Sequence, residues 1–134
     1  MNMTRLFLSL ITCLLLLGFQ VFAQTPAPLA VSQTGRIERL ENFPSNHVQA
    51  RHVDVWVPDE FEKLKAAGQQ FNVLYMHDGQ MLFDAKTTWN KQAWHADQTV
   101  SRLIKSGQLA PTIIVGVWNN GPFRHSEYFP EKYL

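Results

Sequence analysis

The sequence predicts an α/β fold in which an antiparallel strand pair leads into a strand–helix–strand unit. Three observations carry this expectation. Residues 51–57 alternate Val53, Val55 and Val57 with His52, Asp54 and Trp56, the two-residue period of a strand with one buried face. Residues 71–76 and 112–118 are almost unbroken apolar runs, as in strands buried on both faces, and two such strands suggest a parallel pair. Between them Ala93, Trp94, Asp97, Val100, Leu103 and Ile104 fall on one helical face, which supplies the crossover that parallel strands need, expected right-handed.

The elements follow in order. Arg5 precedes an apolar run from Leu6 to Leu17, and Val21-Phe22-Ala23 then forms a cleavage pattern before Gln24. Residues 1–23 are therefore expected to be a signal peptide, the run being shorter than the ~20 residues that span a bilayer. Export to the periplasm or outside the cell follows. Cys13, the single cysteine, leaves with the signal, so the mature chain has no disulfide, thiolate metal site or cysteine nucleophile. Residues 24–35, with Pro26, Pro28, Ser32 and Gly35, read as a flexible leader, and residues 36–134 as the domain portion.

Ile37 and Leu40 suit a helical turn as well as a strand, but the alternating segment that follows favours a strand, with Pro44-Ser45-Asn46 as the turn. Pro58 ends the second strand. Residues 59–67 read as a short helix with Phe61 and Leu64 inward and Gly68 as its stop; for the long helix Asn90 is the expected cap and Gly107 the end. The net charge is +1, and Lys and Arg are spread without a basic patch, so nothing points to nucleic acid or, once the signal is removed, to a membrane. His47, His52, His77, His95 and His125 are scattered without metal-ligand spacing, and no glycine-rich phosphate cradle occurs; no metal or other cofactor is expected.

Chemistry concentrates where an apolar strand empties into His77-Asp78-Gly79-Gln80-Met81. Ligand crevices form at the C-terminal ends of such strands, and a glycine turn leaves amides accessible to a developing oxyanion. The backbone N–H groups of Gly79, Gln80 and Met81 are the candidates. The competing reading is an ordinary Asp-Gly turn whose His77 and Asp78 side chains satisfy nearby backbone. A second cluster follows the next apolar strand and includes Trp118, Asn119, Arg124 and Glu127. Arg124 is suited to a substrate carboxylate or phenolate with Glu127 orienting its guanidinium, or to a structural ion pair. Tyr128 and Phe129 line a pocket or cover the sheet edge. Asp97 is either a partly buried acid or sits at the margin of its helix face, and most such acids bond to local backbone. None of Ser9, Ser32, Ser45, Ser101, Ser106 or Ser126 stands in a G-x-S-x-G elbow.

These residues resemble a family. The runs Val55-Trp56-Val57-Pro58, Val73 through Asp84, Ile114-Val115-Gly116-Val117 and Arg124-His125-Ser126-Glu127-Tyr128 look like the Putative esterase family of the α/β-hydrolase superfamily, which includes esterase D-like, feruloyl, acetylxylan and siderophore esterases and mycolyl transferases. The resemblance implies the N-terminal, incomplete part of an α/β-hydrolase sheet, a Ser-His-acid triad, an acyl-serine intermediate, no cofactor, and a small-molecule or carbohydrate ester as substrate. The chain reaches Leu134 before the segment where the family carries its nucleophile, so no residue inherits a triad role, and the expectation is an inactive front portion of a longer esterase. His77 and Asp78 do not substitute, because adjacent side chains leaving a strand point to opposite sides. The alternatives are a noncatalytic carbohydrate- or siderophore-binding module using the Arg124 and Trp118 loops, or an acyltransferase of the same family. Nothing in the pattern fixes an oligomeric state.

Overall fold

The computed structural model describes residues 26–129, in which β1 (Gly35–Phe43), β2 (Arg51–Pro58), β3 (Asn72–His77) and β4 (Thr112–Val117) form one sheet in the order β1-β2-β4-β3. The first two pairings are antiparallel and β3 runs parallel to β4. Three helices accompany them: α1 (Phe61–Ala66), α2 (Ala96–Lys105) and α3 (Arg124–Glu127). The mixed sheet with its α2 crossover is the α/β arrangement that the sequence predicts. The expected signal peptide lies outside the described residues.

The ladder places Ile37 opposite Trp56, Trp56 opposite Ile114 and Ile114 opposite Leu74, so one row of side chains crosses the sheet on the face beneath α2. Ile37, Trp56 and Ile114 join Leu82, Phe83, Ala96 and Val100 in the core. Strand β2 is consequently not one-faced as its alternation suggested. Asp54 and Trp56 are its deepest residues, whereas Val55, on the opposite face, is only half-buried. Burying Asp54 is possible because Arg39, its partner across the ladder, meets it with two parallel hydrogen bonds of 2.7 and 2.8 Å.

The two apolar strands also differ from the expectation of double burial. Strand β4 lies between β2 and β3, whereas β3 has a partner on one side only among the described residues, and Val73, Leu74 and Tyr75 are exposed. An apolar run reports the burial a strand is suited to, not its place in the strand order.

Helix α2 begins later than the periodicity implied. Trp94 N–H and Ala96 N–H donate to Met81 O and Leu82 O, which ties this segment to the preceding turn, and His95 sits in the left-handed region at φ 53° immediately before the helix. Asn90 is not the cap: its Oδ1 accepts from Gln92 N–H. Trp94 falls outside the helix and is exposed, not part of its core face. The end is as expected. Gly107 adopts φ 72°, and its N–H and that of Gln108 reach Ile104 O and Leu103 O, a closed C-cap that needs a residue without Cβ strain.

The described part of the segment read as a flexible leader, from residue 26, has no helix or strand up to Gly35, yet from Ala27 onward it is fastened down. Arg39 donates to the carbonyls of Ala27 and Pro28, Val31 N–H to Asp84 Oδ2, and Ala30 enters the core. Ser32 Oγ accepts from Trp56 Nε1 and donates to Asp97 Oδ2 at 2.7 Å. Asp97 is thus fully buried and bonded to a side chain 65 residues away, not to local backbone.

Candidate functional site

Because β3 and β4 are parallel neighbours, the loops that leave their C-terminal ends emerge side by side. After β3 the chain turns through Asp78, held in the left-handed region at φ 55°, into one turn of 3-10 helix at Gly79–Met81. The turn lies directly on β4. A Cβ at Gly79 would collide with the carbonyl of Gly116, so the close approach of the two backbones requires glycine there; one at Gly116 would stand 2.8 Å from Leu82 Cδ1 and 3.1 Å from Gly79 Cα.

Asp78, 6 % exposed, is the centre on which the second loop converges. Arg124 grips it with two bonds, Nε to Oδ1 at 2.8 Å and Nη2 to Oδ2 at 2.6 Å. Asn119 Nδ2 adds a bond to Oδ1 at 2.7 Å, and the Tyr128 hydroxyl another at 3.1 Å. The turn is braced in return: Asn119 N–H donates to Gln80 Oε1, and Gly121 N–H to Asn119 Oδ1. The Arg124 guanidinium holds the Asp78 carboxyl down to about 2 against the opposing effect of burial, with Asn119 and Tyr128 assisting. Burial and the adjacent carboxylate raise the Tyr128 phenol. The Arg124 guanidinium also stacks over the Tyr128 ring at 4.7 Å, and His77 packs 5.3 Å from the same ring.

Of the candidates read from the sequence, His77, Asp78, Gln80, Asn119 and Arg124 are thereby brought together. Glu127 does not orient Arg124. It forms a double bond pair with Arg51 of β2, both at 2.9 Å, while Asp78 takes the Arg124 guanidinium. Trp118 is likewise occupied: its Nε1 donates to buried Asp54, Arg39 lies 4.6 Å over its ring, and His52 meets it edge-on.

A family model described as Putative esterase matches residues 46–132, which includes both loops. The chain belongs to this family.

Within this esterase-family chain the three candidate oxyanion donors separate. Met81 N–H is already bonded to Asp78 O at 2.7 Å, whereas neither Gly79 N–H nor Gln80 N–H meets an acceptor among the described residues. Gly79 and Gln80 are the first two residues of the 3-10 turn, whose N–H groups have no partner within it. Four of the described serines are engaged elsewhere. Ser32 is bonded to Asp97, the hydroxyls of Ser106 and Ser126 bond to Leu103 O and Phe123 O, and Ser45 Oγ caps the amides of His47 and Val48. No serine hydroxyl is hydrogen-bonded to a histidine ring among the described residues. The sequence reading missed the Arg39–Asp54 pair and Tyr128 as a ligand of Asp78; a charged residue in the middle of an apolar strand was the available signal for the first.

Proposed function

We propose that the loops after β3 and β4 form the oxyanion-stabilising side of a carboxylic-ester hydrolase site. The observation that carries this is the pair of unengaged amides at Gly79 and Gln80, set on a turn whose geometry is locked by Arg124, Asn119 and Tyr128 through Asp78. In this reading a serine attacks the ester carbonyl, the carbonyl oxygen gains negative charge, and the two amides bond that oxygen more strongly in the transition state than in the ground state. Asp78 takes no proton during the reaction. Its low carboxyl titration and its bidentate partner make it a clamp that holds the amides in place. The serine proton passes to the histidine, the tetrahedral intermediate breaks its bond to the alcohol oxygen and the alcohol leaves with that proton, and water then hydrolyses the acyl-serine to free the acid and the serine.

The nucleophile and its histidine are proposed to come from polypeptide outside the described residues, and the protein is proposed to act after export. A noncovalent role for the same loops is the reading that competes. Labelling with a fluorophosphonate distinguishes them. The 134-residue chain alone should neither take up the label nor hydrolyse p-nitrophenyl acetate, while a polypeptide extended through the downstream genomic frame should do both at one serine. Stoichiometric labelling of the 134-residue chain itself, or an extended chain that carries G-x-S-x-G yet is inert to label and ester, would overturn the proposal.

A further inference from the structure

Asn120 is the one asparagine in the sequence that is followed by glycine. An asparagine carboxamide and the next main-chain nitrogen can close a five-membered ring, and glycine at the second position removes the Cβ that would hinder their approach. The pair lies in the loop after β4, between Asn119, which bonds Asp78, and Arg124, which grips it. Gly121 is exposed, sits at φ 51° and has no heavy atom within 4 Å of the place a Cβ would take, so no packed neighbour confines the backbone there.

Two hydrogen bonds restrain the atoms that would react. Gly121 N–H donates to Asn119 Oδ1 at 2.8 Å, and Asn120 Nδ2 donates to Gln49 Oε1. The first keeps the proton on the nitrogen that has to attack, and the second ties the carboxamide to the connection between β1 and β2. Asn119 therefore has two tasks: its Nδ2 holds Asp78 and its Oδ1 holds Gly121 N–H. Asp78-Gly79 is the acid counterpart of the same dipeptide and is held more firmly, because Arg124 bonds both oxygens of its carboxylate.

We propose that Asn120 is a site of spontaneous deamidation, that the bridge from Asn119 to Gly121 sets its rate, and that the product loosens the clamp on Asp78. When the bridge opens, the Gly121 nitrogen loses its proton to solvent base and attacks Asn120 Cγ. The new N–Cγ bond forms, the Cγ–Nδ2 bond breaks, and the departing nitrogen takes up a proton and leaves as ammonia. Water then opens the succinimide at either carbonyl, giving aspartate at position 120 or isoaspartate, in which the main chain runs through Cγ. Isoaspartate lengthens the backbone by one methylene directly after Asn119, whose side chain can then no longer meet Asp78 and Gly121 together. Either product also puts a negative charge beside the Glu127 carboxylate, which Arg51 foremost, and Asn120 to a lesser extent, hold below its ordinary value. The reaction needs only water and base, and it does not rest on the hydrolase reading.

The 134-residue chain is incubated in mildly alkaline buffer with and without urea, and the peptide that contains residue 120 is followed by mass spectrometry, with fragmentation that tells isoaspartate from aspartate. The expected result is conversion at Asn120 ahead of every other asparagine, about 10-fold slower in the folded chain than in urea because two restraining bonds are lost on unfolding. Folded Asn119→Ala should react about 2- to 10-fold faster than folded wild type, the range expected for the loss of one hydrogen bond. Gln49→Ala frees the carboxamide without touching Asp78, should accelerate the reaction by a similar factor, and carries the test if Asn119→Ala does not fold. The isoaspartate form, separated by ion exchange, should unfold at a lower urea concentration than Asn120→Asp, since only the former has the longer backbone. An Asn120 that stays intact in urea, equal rates in buffer and in urea, folded variants that react no faster than wild type, or equal urea midpoints for isoaspartate and Asn120→Asp would overturn the proposal.

Discussion

Replacing Asp78 by Asn removes the charge on which Arg124, Asn119 and Tyr128 converge while keeping the side chain's shape and its tolerance of a left-handed backbone. The carboxyl titrates at about 2 in the folded chain against 3.8 unperturbed, and each unit corresponds to 1.36 kcal/mol, so the clamp contributes about 2 kcal/mol. The sign follows from the direction of the shift. A carboxyl lowered by folding adds stability that is complete above its unfolded value and disappears as pH falls through its folded one. Urea unfolding followed by tryptophan fluorescence across a pH series should show wild type more stable than Asp78→Asn by about 2 kcal/mol near neutrality, a gap that begins to close below about pH 4.5 and is gone near about pH 1.5. The other carboxylates are common to both proteins and cancel in the difference. A gap that stays constant on acidification, or no gap at neutral pH, would refute the claim that the Asp78 charge holds the turn.

The other expectations concern the supports of the same site. Arg39→Met strands the Asp54 carboxylate under α2 and should cost about 3–5 kcal/mol in thermal or urea unfolding, with Arg39→Met/Asp54→Leu recovering most of it. In the catalytically complete polypeptide, Gln80→Pro deletes a proposed oxyanion donor and should lower kcat about 10²- to 10³-fold, whereas Gln80→Ala, which keeps the amide, should stay much closer to wild type. Gly79→Ala should destabilise more than Gly116→Ala, because the first methyl meets the Gly116 carbonyl and the second meets the end of the Leu82 side chain, which can rotate; about 1–3 kcal/mol is expected for the milder of the two by urea unfolding.

Much of this architecture was legible in the sequence, and the gaps have physical causes. The period at Val53, Val55 and Val57 announces a strand with two different faces, but not which face meets the helix. Asp54 decides that only through Arg39 and through Trp118, which is 64 residues away, and such partners are invisible to a local pattern. The apolar runs of β3 and β4 look alike, yet β4 has a neighbour on both sides and β3 on one side only among the described residues, because strand order is set by the crossover and not by composition. The turn at Asp78 and the cluster around Arg124 were both readable as strand-end loops. Their direct pairing across 46 residues was not, since Glu127 three positions from Arg124 offered an equally plausible partner until Arg51 claimed it. Trp94 illustrates the reverse error: helical spacing placed it in the core, and the left-handed residue at His95 put it outside the helix.

The position of β4 between β2 and β3 has a consequence for biosynthesis. The β1–β2 hairpin can close as soon as Pro58 has been made, but the strand that seals the open side of β2 arrives only after about fifty further residues. At ribosomal rates of about 5–20 residues per second that interval is roughly 3–10 s. Throughout it β2 presents an unpaired ladder to any other strand in reach, and β3, made earlier, has no neighbour to join. Holding the nascent chain unfolded until β4 emerges, as a chaperone does, would protect both strands, so the yield of folded protein should depend on chaperone supply.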